Sequence, residues 1–250
     1  MDLELQNQII KILDEAGNLL LDYFVQNLEV TSKMDNSPVT NADFAADGLI
    51  KAGLKKISDL PIVSEESAKH DNLKAAKHPE FWLLDPLDGT SSFIKKHQDF
   101  AICLAKIKNN RPEFGFIHVP FEKRTYFNNN EGAALRRATG QIIPIKVKKQ
   151  NQALHILSSG RMKNNIEFAD YIKKYDTAQI SVISSAIKFC KIASGEAQLY
   201  PYFGDTMQWD SAAGDAIVHA AGGKVVDLED NKLFYGAKND FLNPYFVAKA

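Results

Sequence analysis

The segment WLLDPLDGTSSF, residues 82–93, runs from an apolar stretch straight into two aspartates three positions apart. Carboxylates that close repel one another, so a chain that keeps both needs a cation to satisfy them. Acidic residues recur at equivalent places elsewhere. Glu65 and Glu66 follow the apolar PIVS (61–64), Asp85 and Asp88 follow FWLL (81–84), and Asp210 follows Trp209 where a late helix should begin. Hard divalent cations take several oxygen ligands, mostly carboxylates supplemented by backbone carbonyls and water. In DPLDGT, Pro86 and Gly89 are expected to fix a tight turn that aims Asp85, Asp88 and the Leu87 carbonyl at one point. Gly89 can adopt positive φ and let the chain approach a ligand. The amides of Gly89, Thr90 and Ser91 would then open a short helix, a place where phosphate binds. Metal on one side of a turn and phosphate on the other suits metal-assisted hydrolysis of a phosphate ester. Two ions about 3.5–4 Å apart can clamp the attacking and leaving oxygens.

Each acid has a plainer reading when taken alone. Asp85 and Asp88 could be ordinary turn formers. Asp210 could cap its helix, Asp43 could complete a capping box with Thr40, and Glu66 could be solvated. The recurrence of acids where strands end and helices begin is what points to a site. Asp47 lacks that placement and is expected on the surface.

The elements that must hold these residues follow from periodicity. Ile9, Leu13, Ala16, Leu20 and Phe24 recur at helical spacing. A second helix should start at Thr40, with Asp43 at its third position and Ala46, Leu49, Ile50 and Leu54 as its buried stripe. Strands are expected at 61–64, 81–84, 99–107, 113–119, 124–127 and 133–136. From about residue 153 the rhythm becomes alternating strand and helix, with helices near 164–174, over 186–194, and from Asp210 to Ala221. The expected architecture is therefore an N-terminal α+β half, residues 1–147, and a C-terminal α/β half, residues 153–250, joined through the polar KKQNQ at 148–152. The first half would hold most of the candidate ligands and the second Asp210 and a substrate loop.

Composition narrows the partners. The chain has 250 residues, 45% hydrophobic and 24% charged, with net charge -1. That is long enough to bury a sizeable core, and it provides no broad basic field for nucleic acid or acidic lipid. Lysine runs at 146–149 and 173–174 read as solvated faces. Cys103 and Cys190 lie in apolar stretches and are expected as buried free thiols of a reducing compartment. The N-terminus is acidic and amphipathic rather than a signal peptide. No segment approaches the roughly 18 apolar residues of a membrane span. A cytoplasmic protein is expected, with peripheral association at the inner membrane face the remaining alternative.

DPLDGTSSF, WDSAAGDAIVHAAGG and VSEES together resemble the signatures of the lithium-sensitive, magnesium-dependent phosphatases of the inositol monophosphatase superfamily, and the likeness extends over essentially the whole chain. DNSPVTNAD, SSAIKFC, GEAQLYPYFG and FLNPYF are similar to segments of the bacterial 3'(2'),5'-bisphosphate nucleotidases. Those enzymes remove a phosphate from adenosine 3',5'-bisphosphate, the by-product of sulfate assimilation in sulfur metabolism. The resemblance implies an αβαβα layered sandwich of the sugar phosphatase type. It implies two or three Mg2+ ions on Glu65, Asp85, the Leu87 carbonyl, Asp88 and Asp210. Thr90 and Asp43, with Glu66 alongside, would be the catalytic set that orients or deprotonates the nucleophilic water. Substrate would be held by Glu65, Leu87, Asp88, Gly89, Thr90, Ser91, Ser185, Lys188 and Asp210.

The chain departs from the nucleotidase pattern where substrate recognition is concerned. Ser91-Ser92 stands for Lys-Glu after DGT, Ser184-Ser185-Ala186 for Gly-Ser-Ser before the lysine, and SSGRMK for a Ser-x-Ser-His segment. The leading expectation is hydrolysis of a nucleoside bisphosphate, with inositol monophosphatase as the same-chemistry alternative. Lys188 favours the nucleotide, because a lysine can meet a second phosphate; the plainer reading has it reaching solvent. A regulatory module that binds RNA or protein is the alternative of another class. The partner expected is a small phosphate ester, with the chain a monomer or homodimer.

Overall fold

The computed structural model describes residues 1–26, 29–32, 38–149, 154–175, 178–237 and 240–250. The first helix, α1 (Leu3–Phe24), buries Ile9, Leu13, Ala16 and Leu20 as its spacing predicts. A short hairpin of β1 (Val30–Ser32) and β2 (Pro38–Thr40) leads into α2 (Asn41–Ile57). Thr40 caps α2 and shares a capping box with Asp43, which satisfies donors the first turn would otherwise leave open.

Seven strands then form one sheet: β3 (Ile62–Ser64), β4 (Glu80–Asp88), β5 (Ala101–Lys108), β6 (Arg111–Val119), β7 (Arg124–Asn129), β8 (Gly132–Arg136) and β9 (Ile142–Pro144), in that spatial order. Helix α3 (Lys69–Ala75) connects β3 to its parallel neighbour β4, and the short α4 (Thr90–Ile94) connects β4 to β5. A five-stranded sheet follows in the order β11, β10, β12, β14, β13, built from β10 (His155–Ser158), β11 (Gln179–Val182), β12 (Leu199–Tyr202), β13 (Lys224–Asp227) and β14 (Phe246–Lys249). Its helices are α5 (Ile166–Ile172), α6 (Ile187–Ala193) and α7 (Gln208–Ala220). Apart from the β1–β2 hairpin, all strands up to residue 144 thus lie in one sheet and all from residue 155 in the other. The polar joint expected at 148–152 falls in part on residues outside the described set.

The layers follow from which faces are apolar. α1 and α2 cover one face of the large sheet, where Trp82, Leu84, Ile102, Leu104 and Phe116 point toward Leu13, Ala46 and Ile50 in one apolar cluster. The other face packs on α7 and α6, which also meet the small sheet. Outside that sheet, Tyr171 and Ile172 of α5 pack on Ile156, Leu199 and Val247. The result is the five-layered αβαβα sandwich. Helix α7 lies between two sheets, so its buried residues are mostly apolar or small, Ser211, Ala212, Ala213, Gly214, Ala216, Ile217 and Val218 among them. The buried Gln208 and Asp215 are bonded to Gly236 and Arg111. It seats directly on β6, where a Cβ at Gly115 would come within 2.3 Å of the Ala213 carbonyl. Cys103 and Cys190 are buried free thiols. Among the described residues, no helix is long and apolar enough to cross a membrane.

Two sequence expectations need correction. DPLD does not form a turn after the strand; both aspartates belong to β4, whose register against β5 shifts between Asp85 and Asp88. Pro86 is accommodated because the bulge leaves its missing N–H without a ladder partner to lose. Asp47 is not a surface residue: it is 8% exposed and faces β3. The hairpin β1–β2, helix α3 and strands β9, β13 and β14 had no anticipated counterparts. They are short, and the N-cap of α3 is Ala68, which makes no side-chain cap bond.

One buried polar residue ties stability to pH. His118 of β6 is 3% exposed and its Nδ1 lies 3.0 Å from Thr125 Oγ1. Burial, aided by the Arg136 charge, lowers its pKa from 6.5 to about 4. The folded state holds this imidazole neutral, so its contribution is complete above pH 6.5 and is lost as pH falls toward 4. In urea titrations, wild type should lose about 2–3 kcal/mol relative to His118→Gln between pH 7 and pH 4.5. Parallel pH profiles for the two proteins would contradict this assignment.

Candidate active site

The acidic residues converge where the ends of β3 and β4 meet the start of α7. One carboxylate oxygen from each of Glu65, Asp85 and Asp210 lies within 4.8 Å of the others. Backbone donors orient two of them. The Leu87 N–H donates to Asp85 Oδ1 at 2.9 Å and the Met207 N–H donates to Asp210 Oδ2 at 2.8 Å. Asp210 is the third residue of α7, so it is at once a capping residue and a member of the cluster. The helix starts two residues before the sequence expectation, at Gln208.

Asp88 sits beside these three. Its Oδ2 accepts from the Ala186 N–H, and the Cys103 thiol lies 4.0 Å away. Burial, then the charges of Glu65, Asp88 and Asp210, push the Asp85 carboxyl well above its ordinary range. Burial, then Asp88 and Glu65, do the same to Asp210. Asp88 rises to about 6 through burial, which the Lys188 charge and the Ala186 amide oppose. Like charges gathered in low dielectric each make the others harder to ionise. The donors are hard carboxylate oxygens, those of the three aspartates held by backbone N–H groups. That chemistry fits a divalent cation such as Mg2+ and does not fit a soft metal.

The second feature is a hydroxyl–carboxylate pair. Thr90 Oγ1 lies 3.1 Å from Asp43 Oδ1 and 3.1 Å from the Leu87 carbonyl, so its single proton has two acceptors. Asp43 is fixed on its other oxygen by the Thr40 hydroxyl at 2.6 Å and the Thr40 N–H at 2.8 Å. Burial raises the Asp43 pKa, against the lowering by the Thr40 and Thr90 bonds. Gly89 precedes this pair with φ 99°, the backbone state that lets β4 break sharply into α4. Ser91 is exposed on that first turn. The Glu66 N–H donates to Ser64 Oγ at 3.3 Å.

Lys188 is placed differently from both readings of the sequence. It is 3% exposed, and its ammonium donates to the carbonyls of Ile183, at 3.1 Å, and of Ser185. Its Nζ also lies 5.0 Å from the Tyr200 ring centroid. Burial lowers its pKa to about 8, against the Asp88 charge. The lysine thus shapes the 183–186 loop from within, where Ser185 has φ 57°. That loop is tied to the other half of the site: Ser92 Oγ donates to Ser184 Oγ at 2.8 Å and the Ser184 N–H donates to Asp99 Oδ2 at 2.8 Å.

Three residues that sequence reasoning missed bear on the site. Arg161 is exposed, bonds to Tyr202, and its charge lowers the pKa of both Asp88 and Asp210. The available signal was its cation within SSGRMK. Asp99 anchors the loop, with no sequence pattern to mark it. Asn243, inside FLNPYF, donates to Thr206 Oγ1 at 2.8 Å and to the Met207 carbonyl at 2.7 Å, bracing the turn that positions Asp210.

Comparison with known proteins places the chain in a family. The profile described as the inositol monophosphatase family matches residues 2–249. The 3'(2'),5'-bisphosphate nucleotidase CysQ of Escherichia coli strain K12 is 36% identical over 244 residues, covering 96% of this chain and 97% of its own. The protein of the same name from Buchnera aphidicola is also 36% identical, over 98% of this chain and 93% of its own. The crystal structure of CysQ from Bacteroides thetaiotaomicron superposes with a TM-score of 0.84 at 31% identity, covering 97% and 96% of the two chains. With the family profile spanning all but its terminal residues and these relatives aligned end to end, the chain belongs to the inositol monophosphatase family of phosphatases.

Proposed function

We propose that this protein is a magnesium-dependent phosphomonoesterase that removes the 3'-phosphate of adenosine 3',5'-bisphosphate, giving AMP and phosphate. The observation behind this reading is the Thr90–Asp43 pair together with a cluster of carboxylates, Asp85 buried and Glu65 and Asp210 half-buried. The full-length likeness to CysQ proteins supports the choice of substrate.

Glu65, Asp85 and Asp210 would hold the ions, two or three in number, with Asp88 and the Leu87 carbonyl adjoining. Magnesium bound there would neutralise the cluster and act as a Lewis acid toward the charge that develops on the phosphoryl oxygens. The chain's own groups do the rest. The amides of Gly89, Thr90 and Ser91 donate to the phosphate at the opening of α4. Thr90 directs its proton to Asp43, which leaves its oxygen to accept from the attacking water and draws that proton toward the carboxylate. Burial makes Asp43 a better proton acceptor than an exposed aspartate. Glu66 completes the catalytic set.

For the second phosphate, Arg161 is the better candidate, because it is an exposed residue whose charge acts on Asp88 and Asp210 while the Lys188 ammonium is engaged with loop carbonyls. Lys188 instead keeps Ser184 and Ser185 in place to line the substrate. A planar guanidinium also matches phosphate geometry.

Removing a general-base element costs about 10²–10⁴-fold in rate. Thr90→Ala should therefore lower kcat by about that factor with KM nearly constant, measured by phosphate release with magnesium. Retention of near wild-type kcat would remove Thr90 from the mechanism. Arg161→Ala should raise KM for adenosine 3',5'-bisphosphate by roughly tenfold or more, the worth of one charge-assisted bond. Turnover of a simple monophosphate such as inositol 1-phosphate should be nearly spared. An unchanged bisphosphate KM would contradict the assignment of Arg161. A wild-type preference for inositol 1-phosphate would contradict the substrate.

A further inference from the structure

Helix α2 presents three polar side chains one turn apart, Asp43, Asp47 and Lys51. Asp43 meets Thr90. The next two reach the turn that follows β3. Asp47 Oδ1 accepts from Ser64 Oγ at 2.5 Å. Lys51 Nζ donates to Ser67 Oγ at 2.7 Å, and to Asp47 Oδ2 at 2.6 Å. Ser64 and Ser67 are the two ends of the turn whose middle residues are Glu65 and Glu66, and the Ser67 N–H closes it on the Ser64 carbonyl at 3.1 Å. Asn72 of α3 holds Ser64 from the other side, accepting from its N–H at 3.0 Å and donating to its carbonyl at 2.6 Å. Ser64 is fully buried, and Asp47 and Asn72 are buried with it.

We propose that Asp47 and Lys51 are positioning residues that clamp both ends of the Ser64–Ser67 turn to α2, so that one helix face sets the spacing between the Thr90–Asp43 pair and the two glutamates. The inference rests on the reading of Glu65 as a ligand. Groups that bond a metal ligand directly orient it, and losing one costs about 10–100-fold in affinity. Asp47 and Lys51 act one step further out, through the serines at the ends of the turn, which sets the expectation at the low end of that range. Tying α2 to β3 would need only one such link, and an apolar contact would serve. A charged pair that grips both serines fits a demand on the turn between them. Asp47 also keeps Lys51 in place, so the two links form one unit. Asp47→Asn keeps the shape but puts an amide donor or a neutral oxygen opposite the Lys51 ammonium, and so loosens both ends.

The test measures magnesium binding by calorimetry together with hydrogen exchange of the 64–67 segment in metal-free protein. Wild type is compared with Asp47→Asn, Lys51→Gln and Ser67→Ala. The clamp predicts a magnesium Kd raised about tenfold in Asp47→Asn and by a smaller factor in the other two. It also predicts faster exchange confined to that segment, with the metal-free unfolding midpoint little changed. Lys51→Gln and Ser67→Ala, both at partly exposed positions, decide the matter if Asp47→Asn fails to fold. Variants with wild-type Kd and unchanged exchange would overturn the clamp, even if they were less stable. Absence of magnesium binding in wild type would overturn the ligand reading instead, and the exchange data would still judge the clamp.

Discussion

Mutual repulsion among buried carboxylates is the constraint around which this protein is built. Glu65, Asp85 and Asp210 bring oxygens within 4.8 Å of one another, with Asp88 adjacent, and burial disfavours charge on the three aspartates. No local preference would assemble them. They come from the turn after β3, from β4 and from α7, the last far along the chain from the other two, and each must be held by something stiffer than the repulsion. The strands supply part of that stiffness. β4 is the second strand of the seven and is paired on both sides. Backbone N–H groups of Leu87, Ala186 and Met207 each donate to one of the aspartates, so part of the charge is met by the main chain.

Helix α7 shows what that stiffness requires of the core. To bring Asp210 to the strand ends, the helix must lie between two sheets with its N-terminus at the site. Small residues permit this, since Gly115 admits the Ala213 carbonyl and the helix buries nearly every side chain. The braces at its start come from the far end of the chain, through Asn243 and the carbonyl of Phe241, which accepts from the Gln208 N–H at 2.7 Å. Residues devoted to such a site trade stability for function.

Much of this was legible in the sequence because the site residues sit at punctuation points. Thr40 and Asp43 make a helix start that depends only on local geometry, and an acid after an apolar run marks a strand end. What could not be read depended on distant partners. Asp47 shares the helical period of Asp43, yet only contact with Ser64 reveals that it is buried. Lys188 sits near a helix start, where solvent is the usual destination, and it turns inward because its ammonium finds two carbonyls and the face of Tyr200. Pro86 suggested a turn, whereas the sheet absorbed it as a bulge that re-aims Asp88. Arg161 carries no spacing signal, and its relation to Asp88 and Asp210 exists only in three dimensions.

If the cluster is held under charge strain that a cation relieves, removing one of its charges should help the metal-free fold and harm the metal-bound one. The direct measurement is the unfolding midpoint of wild type and Asp85→Asn at pH 8, with chelator and with saturating magnesium. Wild type should gain stability on adding magnesium, by about 2.7 kcal/mol at a hundredfold excess over Kd. Asp85→Asn, which keeps an oxygen to accept from the Leu87 N–H, should be the more stable of the two in chelator and should gain little from the metal. A wild-type midpoint indifferent to magnesium, together with an Asp85→Asn protein less stable than wild type in chelator, would contradict this account.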